Sequence, residues 1–399
     1  MLDNTEKKMK EWTTQNLYEL ADWRNGLAFK NIHFSEHGKP IIKIAELKNG
    51  ITDQTKFTQD EFDESVALTR GDMLFSWSGN PETSIDVFYY DLPDGWLNQH
   101  IFKVTPRDIN RKYLFYILKY LKSTFTAIAS NKQTTGLGHV TVRDLKELQV
   151  SVPPLPIQRK ISAILSSLDA KIENNRAINH HLEQIAQAIF KSWFVDFEPW
   201  GGKMPDDWKL GTLADIACVT MGQSPDGSSY NESGTGTVFY QGRSDFGSRF
   251  PTRRLFTTQP KRMAAEGDVL VSVRAPVGDL NIASESCCLG RGLAGVQSKS
   301  GNQSFVLYTM FALKQQLDMF NGEGTVFGSI NKNAMAALSV VIPTDEMVQQ
   351  FENIVNPIDT IIRNIFDEIC RLAALRDALL PRLMSGEISV SEAEDFTAK

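Results

Sequence analysis

The chain has 399 residues, with 42 Lys and Arg against 48 Asp and Glu and a formal net charge of −6. That length accommodates two or three domains with their own cores, and the acidic balance excludes a protein that coats nucleic acid by bulk charge. Composition is that of a soluble globular protein, and no apolar run approaches the roughly 20 residues of a membrane span.

Residues 1–12 are charged and lack the apolar centre of a signal peptide, so a cytoplasmic chain is expected. Residues 13–150 read as a loop-rich α/β segment. Strands are predicted at 40–44 and 73–77, a helix around 113–118, and a polar loop at 131–136. Pro153, Pro154 and Pro156 end the preceding strand and open a helix. In that helix Ile161, Leu165, Leu168, Ile172, Asn175, Asn179, Leu182, Ala186, Ile189 and Trp193 alternate steps of four and three. This is the 3.5-residue period of a coiled-coil seam. The helix is expected to fray near 199–202. The aromatic group Phe190, Trp193, Phe194, Phe197 and Trp200 either seals its end against a domain or docks a partner helix.

Residues 205–342 repeat the first pattern, with a strand at 269–273, Gly-rich loops at 222–236 and 242–247, a helix at 305–311 and a polar loop at 321–328. After Pro343 a second seam runs through Phe351, Val355, Ile358, Ile362, Ile365, Ile369, Leu372, Arg376, Leu379 and Leu383, ending near Gly386. About 33 residues in register make each helix roughly 50 Å long. One amphipathic helix cannot bury its own seam. The chain leaves the first helix, folds a domain and returns, so the two helices are expected to pair antiparallel. Asn175, Asn179 and Arg376 interrupt the apolar pattern, and sequence leaves open whether they fix register or lie at a wet edge.

The two halves are copies. A shift of 190 superposes Gly138 on Gly328, Leu148 on Leu338, Pro153 on Pro343, Asp169 on Asp359 and Ala188 on Ala378 without a gap. Upstream the match is looser: 71–76 resembles 267–272, and Leu20, Ala21 and Asp22 are aligned with Leu213, Ala214 and Asp215. A duplicated chain suggests two sites of one kind related by approximate two-fold symmetry. The constant-length helices suit a ruler, and the variable segments suit recognition.

Motifs of catalysis are missing. There is no GxxxxGK[ST] loop, no Asn/Asp-Pro-Pro-Tyr tetrapeptide and no HExxH. Glu46 and Lys48 have the spacing of half a nuclease site, without an upstream Pro-Asp. His180 and His181 lie mid-helix and are expected to be exposed. Cys218, Cys287, Cys288 and Cys370 form no CxxC pair, which predicts reduced structural thiols and no metal site. A nucleophile, an acid–base pair and a metal cluster are all wanting, so an enzyme reading lacks support.

Residues 179–197 resemble the central conserved region of type I restriction-modification specificity subunits, and 375–387 resemble their distal conserved region. The duplicated layout fits as well, so the resemblance spans nearly the whole chain. It implies an α/β (α+β) fold with two similar target recognition domains, 1–150 and 203–342. Two long helical regions, 151–202 and 343–399, would separate them as an antiparallel coiled coil. It further implies a non-catalytic subunit that reads a bipartite, asymmetric sequence in double-stranded DNA, with the helices setting the gap between half-sites. Its partners would be two methyltransferase subunits, joined in some complexes by restriction subunits. S-adenosylmethionine, ATP and Mg²⁺ would be held by those partners, and no cofactor by this chain. The competing interpretation is a coiled-coil scaffold with protein-binding end domains.

For DNA contacts, residues 243–291 hold eight basic side chains against five acids. Arg243, Arg249, Arg253, Arg254, Arg274 and Arg291 have the planar fork that suits guanine edges and phosphates. Gln241 lies just after a predicted strand. In the first repeat the corresponding region gives Lys43, Lys48 and Asn49, and the 131–135 loop adds Lys132, Gln133 and Thr134.

Overall fold

A computed structural model describes residues 12–133, 136–322 and 328–397. The chain forms two compact units. One contains residues up to 174 together with those from 369 onward, and the other contains 175–368. Thr134 lies outside the described residues.

In the first unit, Ala21–Asn25, Ile101–Pro106, Met73–Ser76 and Asp86–Tyr89 form an antiparallel sheet in that spatial order. A second sheet has the order Phe57–Thr58, Lys39–Ile42, Gly95–Leu97, Ala67–Leu68, and its two middle strands run parallel. All four residues of Met73–Ser76 are buried, as expected for a strand covered on both faces. The helices Arg111–Tyr120 and Lys122–Asn131 follow. Tyr113, Ile117 and Phe125 share one core with Phe75 and Val104.

The second unit repeats this plan. Its antiparallel sheet has the order Ala217–Met221, Leu293–Ser298, Val269–Ser272, Leu280–Ile282. Its mixed sheet has the order Tyr230–Asn231, Phe256–Thr257, Thr237–Tyr240, Cys287–Leu289, Met263–Ala264, with Thr237–Tyr240 parallel to Cys287–Leu289. The helices Gln303–Ala312 and Lys314–Asp318 follow.

Hydrogen bonds fix the register of the repeat. The amide of Leu17 donates to the carbonyl of Leu148 at 2.9 Å, and that of Leu213 donates to Leu338 at 2.9 Å. Leu17, not Leu20, is therefore the counterpart of Leu213. The alignment of Leu20, Ala21 and Asp22 with 213–215 is corrected by three residues, because identical letters outweighed the strand pairing that defines equivalence.

The long helices are Leu155–Phe194 and Asp345–Met384, with 40 residues each and bounds 190 apart at both ends. Both exceed the expected 33 residues. In the second unit Asn175 Nδ2 donates to Glu368 Oε2 at 2.9 Å, and Asn179 Nδ2 donates to the Ile362 carbonyl at 3.1 Å. Farther along, the Phe190 and Phe351 rings meet at 5.6 Å. Numbers rise on one helix as they fall on the other, so the pairing is antiparallel. In the first unit Arg376 Nη1 donates to Asp169 Oδ1 at 2.8 Å. Asn175, Asn179 and Arg376 thus each bond the opposite helix, which fixes register.

Ile161, Leu165, Leu168, Leu379 and Leu383 are buried in the first unit's core, with Leu372 at its margin. Phe351, Val355 and Ile362 are buried in the second unit's core, with Leu182, Ile189, Trp193 and Ile358 at its margin. Ile172 is buried, whereas Ile365 and Ile369 are half-buried and join neither core. The two helices pair as expected, and each unit buries its own stretch of their seam. Each domain supplies apolar side chains of its own, Tyr113 and Ile117 or Phe305 and Tyr308, so each stretch of seam is shared with a domain. The aromatic group at the end of the first helix closes such a core: Phe194 packs on Phe305 at 5.2 Å and Trp200 on Trp208 at 4.7 Å. Among the described residues no helix is long and apolar enough to cross a membrane.

Candidate nucleic-acid interface

In the second unit three strand ends come together. The parallel strands Thr237–Tyr240 and Cys287–Leu289 finish side by side, followed by Gln241 and by Gly290-Arg291-Gly292. The Gly290 amide donates to the Tyr240 carbonyl at 2.8 Å, and the Gly292 amide donates to the Gln241 carbonyl at 3.3 Å. Val273, just past Val269–Ser272, donates its amide to the Gly292 carbonyl at 2.9 Å. Gln241, Arg291 and Arg274 consequently leave neighbouring strands at one edge. The two glycines are required by close approach: a Cβ at 290 would lie 2.8 Å from Gln241 Cα, and one at 292 would lie 2.7 Å from the Gln241 oxygen. The Gln241 amide is held in turn by Asp245 Oδ2 at 2.6 Å. The Arg291 stem is thus clamped from both sides, and its side chain is exposed.

The first unit makes corresponding backbone bonds with other residues. Asn98 donates its amide to the Ile42 carbonyl at 3.1 Å, and Trp77 donates its amide to the His100 carbonyl at 3.2 Å. Glu46 Oε2 accepts the Lys43 amide at 3.0 Å. Ser78 pairs with His139 as Arg274 pairs with Ser329. By these bonds Lys43, Gln99 and Ser78 are the counterparts of Gln241, Arg291 and Arg274. Around them stands an aromatic and amide cluster. The Trp77 ring lies 5.5 Å from His100 and 6.4 Å from His139, and Trp77 Nε1 donates to Asn25 Oδ1 at 3.0 Å. Gln99 Nε2 is 3.1 Å from His100 Nε2. Burial, and secondarily the nearby His139, push the His100 pKa below its ordinary value, so the ring meets a ligand as a neutral donor and acceptor.

The other residues expected at DNA are placed differently. Arg249 is only 7% exposed: Nη2 donates to Asp359 Oδ1 at 2.6 Å, and Nη1 lies 2.8 Å from Glu183 Oε1. Its expected contact with DNA is corrected, because a guanidinium held between two carboxylates under the surface cannot reach a duplex. Arg243 pairs with Asp279 at 2.7 Å, Arg254 with Asp245 at 3.2 Å, and Arg253 with Glu285. All three guanidiniums are exposed, and the surface pairs of Arg243 and Arg253 are worth about 0–1 kcal/mol, whereas the Asp245 carboxylate beneath Arg254 is buried and also holds the Gln241 amide. Lys132 is bound to Asp144 and Lys48 to the Thr83 carbonyl. Lys43, Asn49 and Gln133 are exposed, with the Lys43 ammonium 5.7 Å from the Phe34 ring. Among the described residues Arg274 and Arg291 have no carboxylate partner. Asn25, Trp77, Gln99, His100 and His139 escaped the sequence reading. Offsets of 192 and 196, which the loop insertions concealed, would have led from Arg291 to Gln99 and from Arg274 to Ser78.

The sequence profile of the type I restriction modification DNA specificity domain matches this chain twice, at residues 9–184 and 205–370. A protein of Methanocaldococcus jannaschii named as the type I restriction enzyme MjaX specificity subunit is 31% identical, covering 96% of this chain and 94% of its own. The MjaIX specificity subunit of the same organism is 26% identical over 74% of this chain and 73% of its own. Among solved structures, the type I restriction-modification S subunit from M. genitalium covers 94% of this chain and 96% of its own, with a TM-score of 0.58 at 17% identity, a likeness of fold.

Proposed function

The chain belongs to the type I restriction-modification DNA specificity family as a specificity subunit, and from that premise we propose that it reads a split, asymmetric sequence in double-stranded DNA. Residues 1–150 take one half-site and 203–342 take the other. The helical regions 151–202 and 343–399 dock two methyltransferase subunits, and restriction subunits in complexes that contain them. The chain itself cuts and methylates nothing. S-adenosylmethionine is held by the methyltransferase subunits, and ATP and Mg²⁺ by the restriction subunits.

One observation supports this reading above the others. The two units present the same strand-end turns with different side chains, Lys43 and Gln99 in one, Gln241 and Arg291 in the other. Matching backbone with unmatched side chains is the arrangement that two unlike half-sites demand. Phosphate contacts position a protein on the duplex, whereas contacts to base edges specify sequence. Affinity then rests on local basic groups, since the chain as a whole is acidic. The test is selection from random duplex pools by the chain assembled with its methyltransferase subunits. A split motif with two unlike halves is expected. Recovery of unenriched sequence defeats the proposal.

A further inference from the structure

We propose that the equivalent turns at Gln99 and Arg291 are the base-reading tips of the two domains, with Arg291 recognising guanine in one half-site and Gln99 recognising adenine in the other. This rests on the DNA-reading function proposed above and goes beyond it by naming the residues and the bases.

Position is the first argument. Both residues occupy the centre of a three-residue turn that follows the parallel strand of the mixed sheet. The turn's first residue, Asn98 or Gly290, bonds back to Ile42 or Tyr240. Its last, His100 or Gly292, accepts from the neighbouring strand's Trp77 or Val273. The middle side chain takes no part in these backbone bonds: Arg291 is exposed, and Gln99 is half-buried with its Nε2 3.1 Å from His100 Nε2.

Rigidity is the second argument. A side chain discriminates between bases only if its stem is held still, because a mobile stem lets it follow whichever acceptor is present. Gly290 and Gly292 pack against the Gln241 backbone at distances that exclude any Cβ. In the first unit Asn98 is 9% exposed and fills the place of Gly290.

Chemistry is the third. An exposed guanidinium with no carboxylate partner among the described residues can present two of its donors to guanine O6 and N7. Arg243, Arg253 and Arg254 lie on carboxylates and serve phosphates instead. A glutamine amide offers one donor and one acceptor, the pattern that adenine N7 and N6 complement.

The experiment uses the chain assembled with its methyltransferase subunits. Binding is measured by competition among duplexes that differ by one base pair, at fixed salt and across a salt series. The wild-type complex is expected to prefer guanine at one position of one half-site by about 5- to 140-fold, the range for a bidentate pair. Arg291→Lys keeps the charge and loses the planar fork. It should abolish that preference, leave the salt dependence unchanged and leave the other half-site intact. Gln99→Arg should replace an adenine preference with a guanine preference in the opposite half-site. An Arg291→Lys complex with unaltered preferences overturns the assignment, and so does a loss of affinity uniform across all duplexes, which would mark a phosphate contact. Unfolding of each variant complex is measured alongside, and Arg291→Lys, a conservative change at an exposed side chain, keeps the test decisive if Gln99→Arg assembles poorly. A wild-type complex without any split motif would defeat the function proposed above, whereas a wild-type motif that neither substitution alters defeats this assignment alone.

Discussion

The Tyr116 hydroxyl donates to Asp169 Oδ2 at 2.6 Å, and the Tyr308 hydroxyl donates to Asp359 Oδ1 at 2.7 Å. Each pair bonds a domain helix to a long helix within its own unit, at matching points of the repeat. Burial, and the carboxylate with it, hold both tyrosines far above their ordinary pKa, against the pull of Arg249 on Tyr308, so both hydroxyls are donors at neutral pH. The arginine that completes each cluster comes from elsewhere: Arg376 from the second long helix in the first unit, Arg249 from a loop in the second. The two units thus share the carboxylate and its tyrosine but draw the neutralising cation from different elements.

Arg249→Met is therefore expected to destabilise the second unit by about 3–5 kcal/mol, because Asp359 and Glu183 keep their charges with no cation between them. Urea unfolding of the purified complex measures this. A variant with native stability and weakened DNA binding would return Arg249 to the DNA surface.

Packing in the second unit makes two isoleucines of one heptad pattern unequal. Ile362 is fully buried in the second unit's core, whereas Ile365 is half-buried beside it. Ile362→Ala should cost about 2–5 kcal/mol and Ile365→Ala about 1 kcal/mol or less. Equal losses in equilibrium unfolding would show that the two positions are packed alike.

What was legible in the sequence follows from what is local. Period fixed the two long helices, and the constant offset of 190 fixed their equivalence, because a helix tolerates no insertion without rotating its apolar face. Composition located the basic side chains but not their neighbours. Arg249 and Arg291 look alike as letters, yet one meets Glu183 and Asp359 from distant segments and the other meets solvent. The turn around Gln99 and His100 was illegible for a related reason. Its function is set by pairing with Ile42 and Trp77, and loop insertions hid the counterpart that would have exposed it. Pro357 lies inside the second long helix, with its ring on the exposed face while Val355 and Ile362 are buried on the other. Packing there outweighs a propensity cost of about 3 kcal/mol.

His100 should titrate below the ordinary imidazole value of 6.5, since burial and then His139 disfavour its charged form. The folded chain therefore takes up this proton at lower pH than the unfolded chain does. The associated stability is whole above pH 6.5 and falls away as pH drops below it. His139→Asn removes the neighbouring imidazole that holds the His100 pKa down and should move the His100 midpoint upward in an NMR titration. A midpoint that stays in place would show that burial acts alone.

The ruler role of the helices is open to a test in length. Each long helix spans 40 residues, and their antiparallel pairing within the second unit joins Asn175 to Glu368 and Asn179 to Ile362. Removing one heptad from one helix alone would put these partners out of step. Removing one from within 161–193 together with its facing heptad from within 351–383 preserves the pairing. Seven residues at about 1.5 Å each shorten the pair by about 10 Å, which is about three base pairs at roughly 3.4 Å per step. Selection from random duplexes by the shortened complex should return both half-sites unchanged with a spacer about three base pairs shorter. An altered half-site at constant spacing would instead mean that the helices read sequence and the domains measure distance.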